Sequence, residues 1–587
     1  MKIVKKIFIM TQLVFLMAGC QEYLDITPDG RISLEDVWKD PKMVEAYLNG
    51  AYSEMNVNQG GLNYFSGAFL GGITDLFHDS DDFEPDPLIA PMWYQGSLSP
   101  TYDPTQTGSN GNIFRVYWSG IRKCNVFLKN IDHAQVINEG SRARMKAEAR
   151  VLRAWYYVQL CKKYGPMPIV EVPLDLQTDF STVERPGSFQ EVADFIDRDW
   201  QAVKDVSDFP WRITNGLDKS RMTKAIMLLL RSQAQLFAAS PLYNPENDLT
   251  KWEKARDYAS EGISLLTANG GYQVYYDPSL GEASFENYFL NSRDFSASPR
   301  DKETILESVS PYPMVWPHHS NGFPQRDMEK AGSCPTQELV DMFDMRTTGL
   351  PVVDPATPYL DDDHLEPNYV SGSGYDPANP YDNRDPRFYA TVIYNGAYIP
   401  GIDALAETFV GGAAEIRPNG GRRNTRTGYY LRKFLDQTVP APILLGAYWK
   451  RMRFGEFYLN LAEAENELNG PGPDVTAAMK PLRDRVHMPA IPQTITSKEE
   501  MRAYIQKERA VELALEEQRV WDVRRWKILD KTDKLVTGML IEKEGDAFTY
   551  ERFVVGRRNS WQDKYLLFPI PLTEISVLGE DWQNPGW

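Results

Sequence analysis

Apolar side chains recur at helical spacing in several segments, most clearly in RMRFGEFYLNLAEAENEL, residues 451–468. Phe454, Phe457, Leu461, Ala464 and Leu468 follow at intervals of three or four, while Glu456, Asn460, Glu463 and Glu467 occupy another face. Asn469, Gly470 and Pro471 then end the helix. Residues 142–164 carry the same stripe through Met145, Ala149, Leu152, Tyr156 and Leu160, and stop at Tyr164-Gly165-Pro166. The pattern places a third helix from Arg502 to Trp526. A fourth runs from Ser220, its cap, to Ser240 before Pro241, and a fifth starts near Trp252 with Ala255 and Ala259 behind it. Short runs at Glu303–Val309 and Tyr389–Tyr394 are strand candidates.

Between these helices lie long stretches rich in Gly, Pro, Asn, Asp and aromatic residues, chiefly 56–112, 270–330 and 351–447. Loops of that length need a scaffold to hold them and usually carry binding surface. The Trp-x-x-Ala helix start and small-residue contacts resemble tetratricopeptide-type helix pairs, although no period of about 34 residues is legible. The expected fold is mainly α: a tetratricopeptide-like helical scaffold with long irregular loops and a few short strands.

The N-terminus reads as an export signal. Lys2, Lys5 and Lys6 precede an apolar run from Ile7 to Met17, and Ala18 and Gly19 precede Cys20. Residues 1–19 are therefore expected to be a lipoprotein signal peptide and Cys20 the lipidated residue, with residues 20–587 forming a single domain. No later stretch is long and apolar enough to span a bilayer. Cys124, Cys161 and Cys334 have neither disulfide parity nor metal-ligand spacing. A net charge of −18 repels nucleic acid. Fourteen Trp and 31 Tyr raise the prior for a sugar ligand, since flat faces with polar edges suit sugar rings.

Several segments, in order, resemble the SusD/RagB family. These are CQEYLDITPDG after the signal, AEARVLRAWYYVQLCKKYGPMPIV from Ala147 to Val170, and NRDPRFYATV from Asn383 to Val392. RFGEFYLNLAEAENELNG at 453–470, ERAVELALEEQRVWDVRRWK at 508–527, FPIPLTEI and the terminal QNPGW complete the series. The resemblance implies an N-terminal part at about 20–240 and a C-terminal part at about 300–587. It also implies an outer-membrane, lipid-anchored, surface-exposed protein that captures glycans and delivers them to a SusC-like TonB-dependent transporter. Peptides or another nutrient on the same scaffold are the alternative, as RagB-type members suggest. A glycosidase is less favoured: it needs two carboxylates roughly 5 to 9 Å apart around a scissile bond, and no catalytic or nucleotide-binding signature stands out. No enzyme activity is expected.

Glu508, Arg509, Glu512, Glu516, Arg519, Asp522, Arg524 and Arg525 crowd one stretch. Glu508, Glu512 and Glu516 lie four apart and form a row that arginines can pair with, so the reading is packing and not chemistry. Arg153 and Trp155 are read as scaffold too. In the family, sugars bind loop aromatics flanked by hydrogen-bonding side chains, and two regions match. DLFHDSDDFEPDPLIAPMWYQG supplies Asp79, Asp81, Asp82, Trp93 and Tyr94; YPMVWPHHSNGF supplies Tyr312, Trp316, His318 and Phe323. Trp93, Tyr312 and Trp316 are the expected platforms. His318 and His319 are read as hydrogen-bonding or exposed rather than metal-binding. Calcium is possible at Asp79–Glu84 or at Asp361, Asp362, Asp363 and Glu366, but neither run has EF-hand spacing, and no other cofactor is implied.

Overall fold

The computed structural model describes residues 33–56, 70–80, 89–101, 113–175, 177–179, 183–214, 218, 220–290, 301–307, 312–313, 323–326, 330–436, 438, 446–447 and 450–587. The signal segment and Cys20 lie outside them.

Helices pack each against the next along the chain. They are α1 (Pro41–Ser53), α2 (Ile113–Asn130), α3 (Glu139–Tyr164), α4 (Phe189–Val203), α5 (Lys224–Ala239) and α6 (Leu249–Gly270). The row then resumes after the long irregular region with α7 (Gly455–Asn469), α8 (Pro473–Arg485), α9 (Lys498–Glu512) and α10 (Gln518–Arg525). α7 lies against α6, α8 and α9, so the helical array continues across an insertion of some two hundred residues as though it were absent.

Local chemistry sets the helix ends. Asn138 caps α3 through the Ser141 N–H, and Gly165 at φ 80 closes it. Ser497 and Glu500 form a reciprocal box at the start of α9. Four sequence expectations move. α5 is capped by Thr223, not Ser220, which sits at φ 65 outside the helix. Residues 450–453 form a strand that precedes α7. The stretch 502–526 breaks into α9 and α10, because Leu515 and Glu517 adopt φ 59 and 64. Tyr389–Thr391 belong to a helical turn, leaving only Val392–Ile393 as strand.

Contact between helices depends on small residues. A Cβ at Gly262 of α6 would enter the Phe457 ring on α7. Gly262→Ala is therefore expected to lower stability by about 1–2 kcal/mol, as overpacking outweighs the gain in helix propensity. Gly50 of α1 has open space beside it, and Gly50→Ala should raise stability by about 0.5–1 kcal/mol. Melting curves of the two variants should move in opposite directions.

The strands pair two by two, four of them short, β1 (Phe77–Asp79), β2 (Thr304–Glu307), β3 (Ser333–Pro335) and β4 (Lys450–Arg453), and two long, β5 (Leu535–Glu544) and β6 (Ala547–Arg557). β5 and β6 form a hairpin whose two-residue turn opens on Gly545 at φ 63. The largest core joins both ends of the chain, with Val151, Trp155 and Ile226 packed in one cluster with Phe454, Trp521 and Phe568. A second core gathers Phe285, Phe343, Phe388, Tyr429, Val511 and Ile541 under the irregular region. Cys124, Cys161 and Cys334 are buried and unbridged, and burial pushes each thiol up to about 12.

Candidate functional site

The loops singled out in the sequence have their roots together. β2 and β4 pair antiparallel, Leu306 opposite Met452, and Tyr312 and Pro313 continue beside Ala447 and Gly446. Arg451 donates from Nη1 to the Met55 carbonyl at 3.2 Å, and the Ser220 hydroxyl donates to the Glu307 carbonyl at 3.2 Å. The chain ends flanking residues 57–69, 215–219, 308–322 and 439–449 are thus neighbours. A second junction lies at β1 and β3, where Asp79 pairs in register with Ser333 and Lys330 stands 3.6 Å from its carboxylate.

Buried charge fastens the first junction. Lys450 reaches Glu307 at 3.0 Å, and Arg453 reaches Glu303 at 2.7 Å, Glu512 at 2.8 Å and Glu516 at 2.6 Å. Glu512 also binds Arg387 at 3.0 Å, as well as Arg485. Glu508 binds Arg387 and Arg483, while Asp522 binds Arg509 and Arg525. The conspicuous carboxylates of 508–522 are therefore structural, as read: they tie α8 to α10 to the strand that carries the loops. In the same way Arg153 is buried against Asp199 through both carboxylate oxygens.

Four of the expected sugar contacts are corrected by their burial. Trp93 has no exposed surface; Tyr565 and Phe568 pack edge-on to it at 5.2 and 5.5 Å, and the Arg524 guanidinium lies 4.8 Å over its ring. Tyr94 stacks on His78 at 4.7 Å, and its hydroxyl donates to the Gly72 carbonyl and accepts the Asp79 N–H at 3.1 Å. Phe323 is packed edge-on against Tyr430 at 5.1 Å. Asp79 is buried beside Lys330. Rings and carboxylates this deeply buried anchor their segments instead of receiving a ligand. Tyr312 is placed by its backbone on the ladder beside Ala447. Asp81, Asp82, Trp316, His318 and His319 lie outside the described residues.

Sequence reasoning did not find the large cleft. It encloses about 560 Å³ between residues 353–364, α9 and residues 528–535. Tyr359 and His364 stack at 4.2 Å in its wall, with the Tyr359 hydroxyl donating to Asp341 at 3.0 Å and Arg552 clasping that carboxylate at 2.7 and 2.8 Å. Asp361, Asp362 and Asp363 of the acidic run line it. Asp361 accepts the N–H groups of Asp363, Leu365 and Glu366 and so holds the loop's own turn, while Asp363 pairs with Arg557 at the end of β6 at 2.8 Å. Among the described residues, no three His, Cys, Asp or Glu side chains converge on a metal position.

Residues 312–587, which hold the loop ladder and α7 to α10, match the model of the SusD family, and residues 22–211 match a second model described as "Starch-binding associating with outer membrane". The chain belongs to the SusD/RagB family. A SusD-like protein of Formosa agariphila is 24% identical over 181 residues, 30% of this chain, and the match spans only 33% of that relative's length. Solved SusD-family structures share the fold over nearly their whole length. A SusD-like protein from Bacteroides fragilis superposes with a TM-score of 0.72 at 23% identity, covering 94% of this chain and 99% of its own. A SusD homolog from Bacteroides thetaiotaomicron gives 0.60 at 18% identity, covering 95% and 99%. The mainly helical, SusD-like architecture expected from the sequence is the one observed.

Proposed function

We propose that this SusD/RagB protein is a lipid-anchored binder of oligo- or polysaccharides at the outer membrane, which passes its ligand to a SusC-like TonB-dependent transporter without cleaving it. The observation that carries the reading is the match of residues 22–211 to the family model described as starch-binding and associating with the outer membrane. Among the solved relatives, one from Bacteroides fragilis is described as a SusD-like carbohydrate binding protein and one from Bacteroides fluxus as a surface glycan-binding protein.

The grouping of the loop roots supports the same reading. Tyr312 lies on the ladder, at the junction held by Lys450, Arg453 and Arg451, and Trp316 is four residues further along the sequence. A rigid base under aromatic loops suits a ligand that must be held by stacking and edge hydrogen bonds, then released. The ion-paired carboxylates beneath are engaged by arginines and lysines and offer no acid and base pair for hydrolysis.

The test is electrophoresis of the protein from Gln21 onward in native gels cast with a panel of polysaccharides, beside Trp316→Ala. Wild type should be retarded by at least one polysaccharide. The variant should lose retention by about 2 kcal/mol, roughly thirtyfold, at an unchanged melting temperature. Shortened polysaccharide would indicate a glycosidase, and a panel that retards nothing would overturn the glycan reading.

A further inference from the structure

A groove of about 280 Å³ runs between α2, the segment 168–174 and the short helix Leu572–Leu578. Phe114, Trp118 and Ile121 of α2 follow at steps of four and three, which puts them on one side of the helix, and they line the groove together. Val172 and Val577 line it from the other two elements and stay 63% and 68% exposed. Single surface valines need no explanation, but two that border one apolar groove belong to a docking face.

The polar groups around the groove are already spent. Pro168 and Pro173 have no N–H to offer. The Tyr157 hydroxyl donates to the Pro168 carbonyl at 3.1 Å and accepts the Val170 N–H at 2.7 Å, while the Asn125 amide donates to the Val170 carbonyl at 2.7 Å. Arg115 and Glu574 pair with each other at 2.6 Å. Among the described residues that line the groove, one charge is left without a counter-ion. It is Arg122, exposed to solvent, whose Nη1 donates to the neutral Leu174 carbonyl at 2.9 Å.

This pattern selects the occupant. An extended peptide carries an N–H and a C=O at every residue, and a sugar carries hydroxyls; both would lose water here without finding partners. An amphipathic helix satisfies its own backbone, but its flanking charges of both signs would meet a rim that offers a single cation. A hydrocarbon chain gives up no hydrogen bond on entering and gains by leaving water, and an anionic group at its end meets Arg122. By the measure in which one water needs roughly 10–15 Å³, the groove takes on the order of twenty atoms, which is one chain and not two.

We propose that the groove holds one acyl chain of a membrane lipid, with the anionic headgroup at Arg122. The inference does not depend on glycan binding. It draws on the outer-membrane placement proposed above for the source of the chain, and it would hold this face of the scaffold against the bilayer.

The experiment takes the protein from Gln21 onward and titrates it calorimetrically with dodecyl phosphate below its micellar concentration, beside hexaethylene glycol dodecyl ether, which has the same chain and no charge. Wild type should bind both, the phosphate roughly tenfold more tightly. Arg122→Gln should erase that difference and leave the ether unchanged. Val577→Glu should weaken both at least about tenfold, and Val172→Glu should act alike. Both positions are exposed, so each variant should melt as wild type does. Vesicles of phosphatidylglycerol should carry wild type, and not Val577→Glu, to the top of a density gradient. Binding of neither amphiphile, or equal binding by wild type and both glutamate variants, would overturn the lipid site. Probe binding without flotation would overturn the membrane as its source. Dimerisation of wild type that rises with concentration and is abolished by Val577→Glu would assign the groove to a second copy and overturn the proposal too. The glycan reading is scored separately, in the polysaccharide gels.

Discussion

Glu512→Ala should destabilise the protein by about 3–5 kcal/mol, because it strips the shared carboxylate from three buried guanidiniums. Arg387 and Arg453 approach Glu512 at 3.0 and 2.8 Å, Arg485 completes the set, and all four side chains are at most 1% exposed. Glu508, Glu516 and Glu303 remain, but each already serves its own arginines or lysine. The pH dependence follows from the same contacts. Burial by itself would raise the Glu512 carboxyl, yet Arg485, Arg453 and Arg387 hold it well below the usual carboxylate range. A depressed folded value means stability that is present above the unfolded value of 4.5 and is lost as pH falls below it. Urea melts from pH 7 down to pH 3 should show wild type losing its advantage over the variant through that window. Urea is the denaturant of choice, since guanidinium salts screen the charges in question. A deficit of less than about 1 kcal/mol at pH 7 would mean that the arginines repartner, and that Glu512 is not the hub.

Trp93→Ala should cost a similar amount, about 3–5 kcal/mol, and leave glycan retention of the folded protein unchanged. The indole fills the space between Tyr565, Phe568 and Arg524, joining the short helix Ile89–Gln95 to the C-terminal segment of the large core. Removal opens a cavity next to a guanidinium that burial already holds down at about 10. Arg524 keeps its bonds to the carbonyls of Tyr565 and Val520 at 3.0 and 2.6 Å, but loses the ring over which it lies. A variant that melts like wild type and no longer binds polysaccharide would return Trp93 to the ligand face and overturn its assignment as an anchor. Set beside Trp316→Ala, the pair separates the two roles an aromatic residue takes in such loops.

Much of the scaffold was legible because its signals are local. The apolar stripe through Met145, Ala149 and Leu152, with Gly165 and Pro166 behind it, set α3 to within a few residues. The stripe through Phe457, Leu461 and Ala464, ended at Gly470, did the same for α7. The row Glu508, Glu512 and Glu516 could be read as pairing residues because a four-residue step puts side chains on one face. Which arginines they meet was not legible, since Arg387, Arg453 and Arg485 come from three separate segments.

The failures share one cause. Met452 and Arg453 have helix-compatible side chains and precede a strong helix; they form a strand because Thr304–Glu307 lies alongside, about 150 residues away in sequence. Leu515 and Glu517 are good helix formers within a continuous helical pattern, and it is the bonds from Arg453 to Glu512 and Glu516 and from Lys433 to the Ala514 carbonyl and Glu516 that mark where the chain turns. Trp93 and Trp316 look alike as letters in loops rich in turn-forming residues. An aromatic in such a stretch becomes anchor or platform according to which distant residues cover it; Trp93 stands on the short helix Ile89–Gln95 and is covered by Tyr565 and Phe568, more than four hundred positions away. Periodicity and capping are properties of neighbours in the chain, so the sequence alone determined α3, α5, α6 and α7 and their order. Exposure, ion-pair partners and the clefts are properties of neighbours in space, and only the tertiary packing decided them.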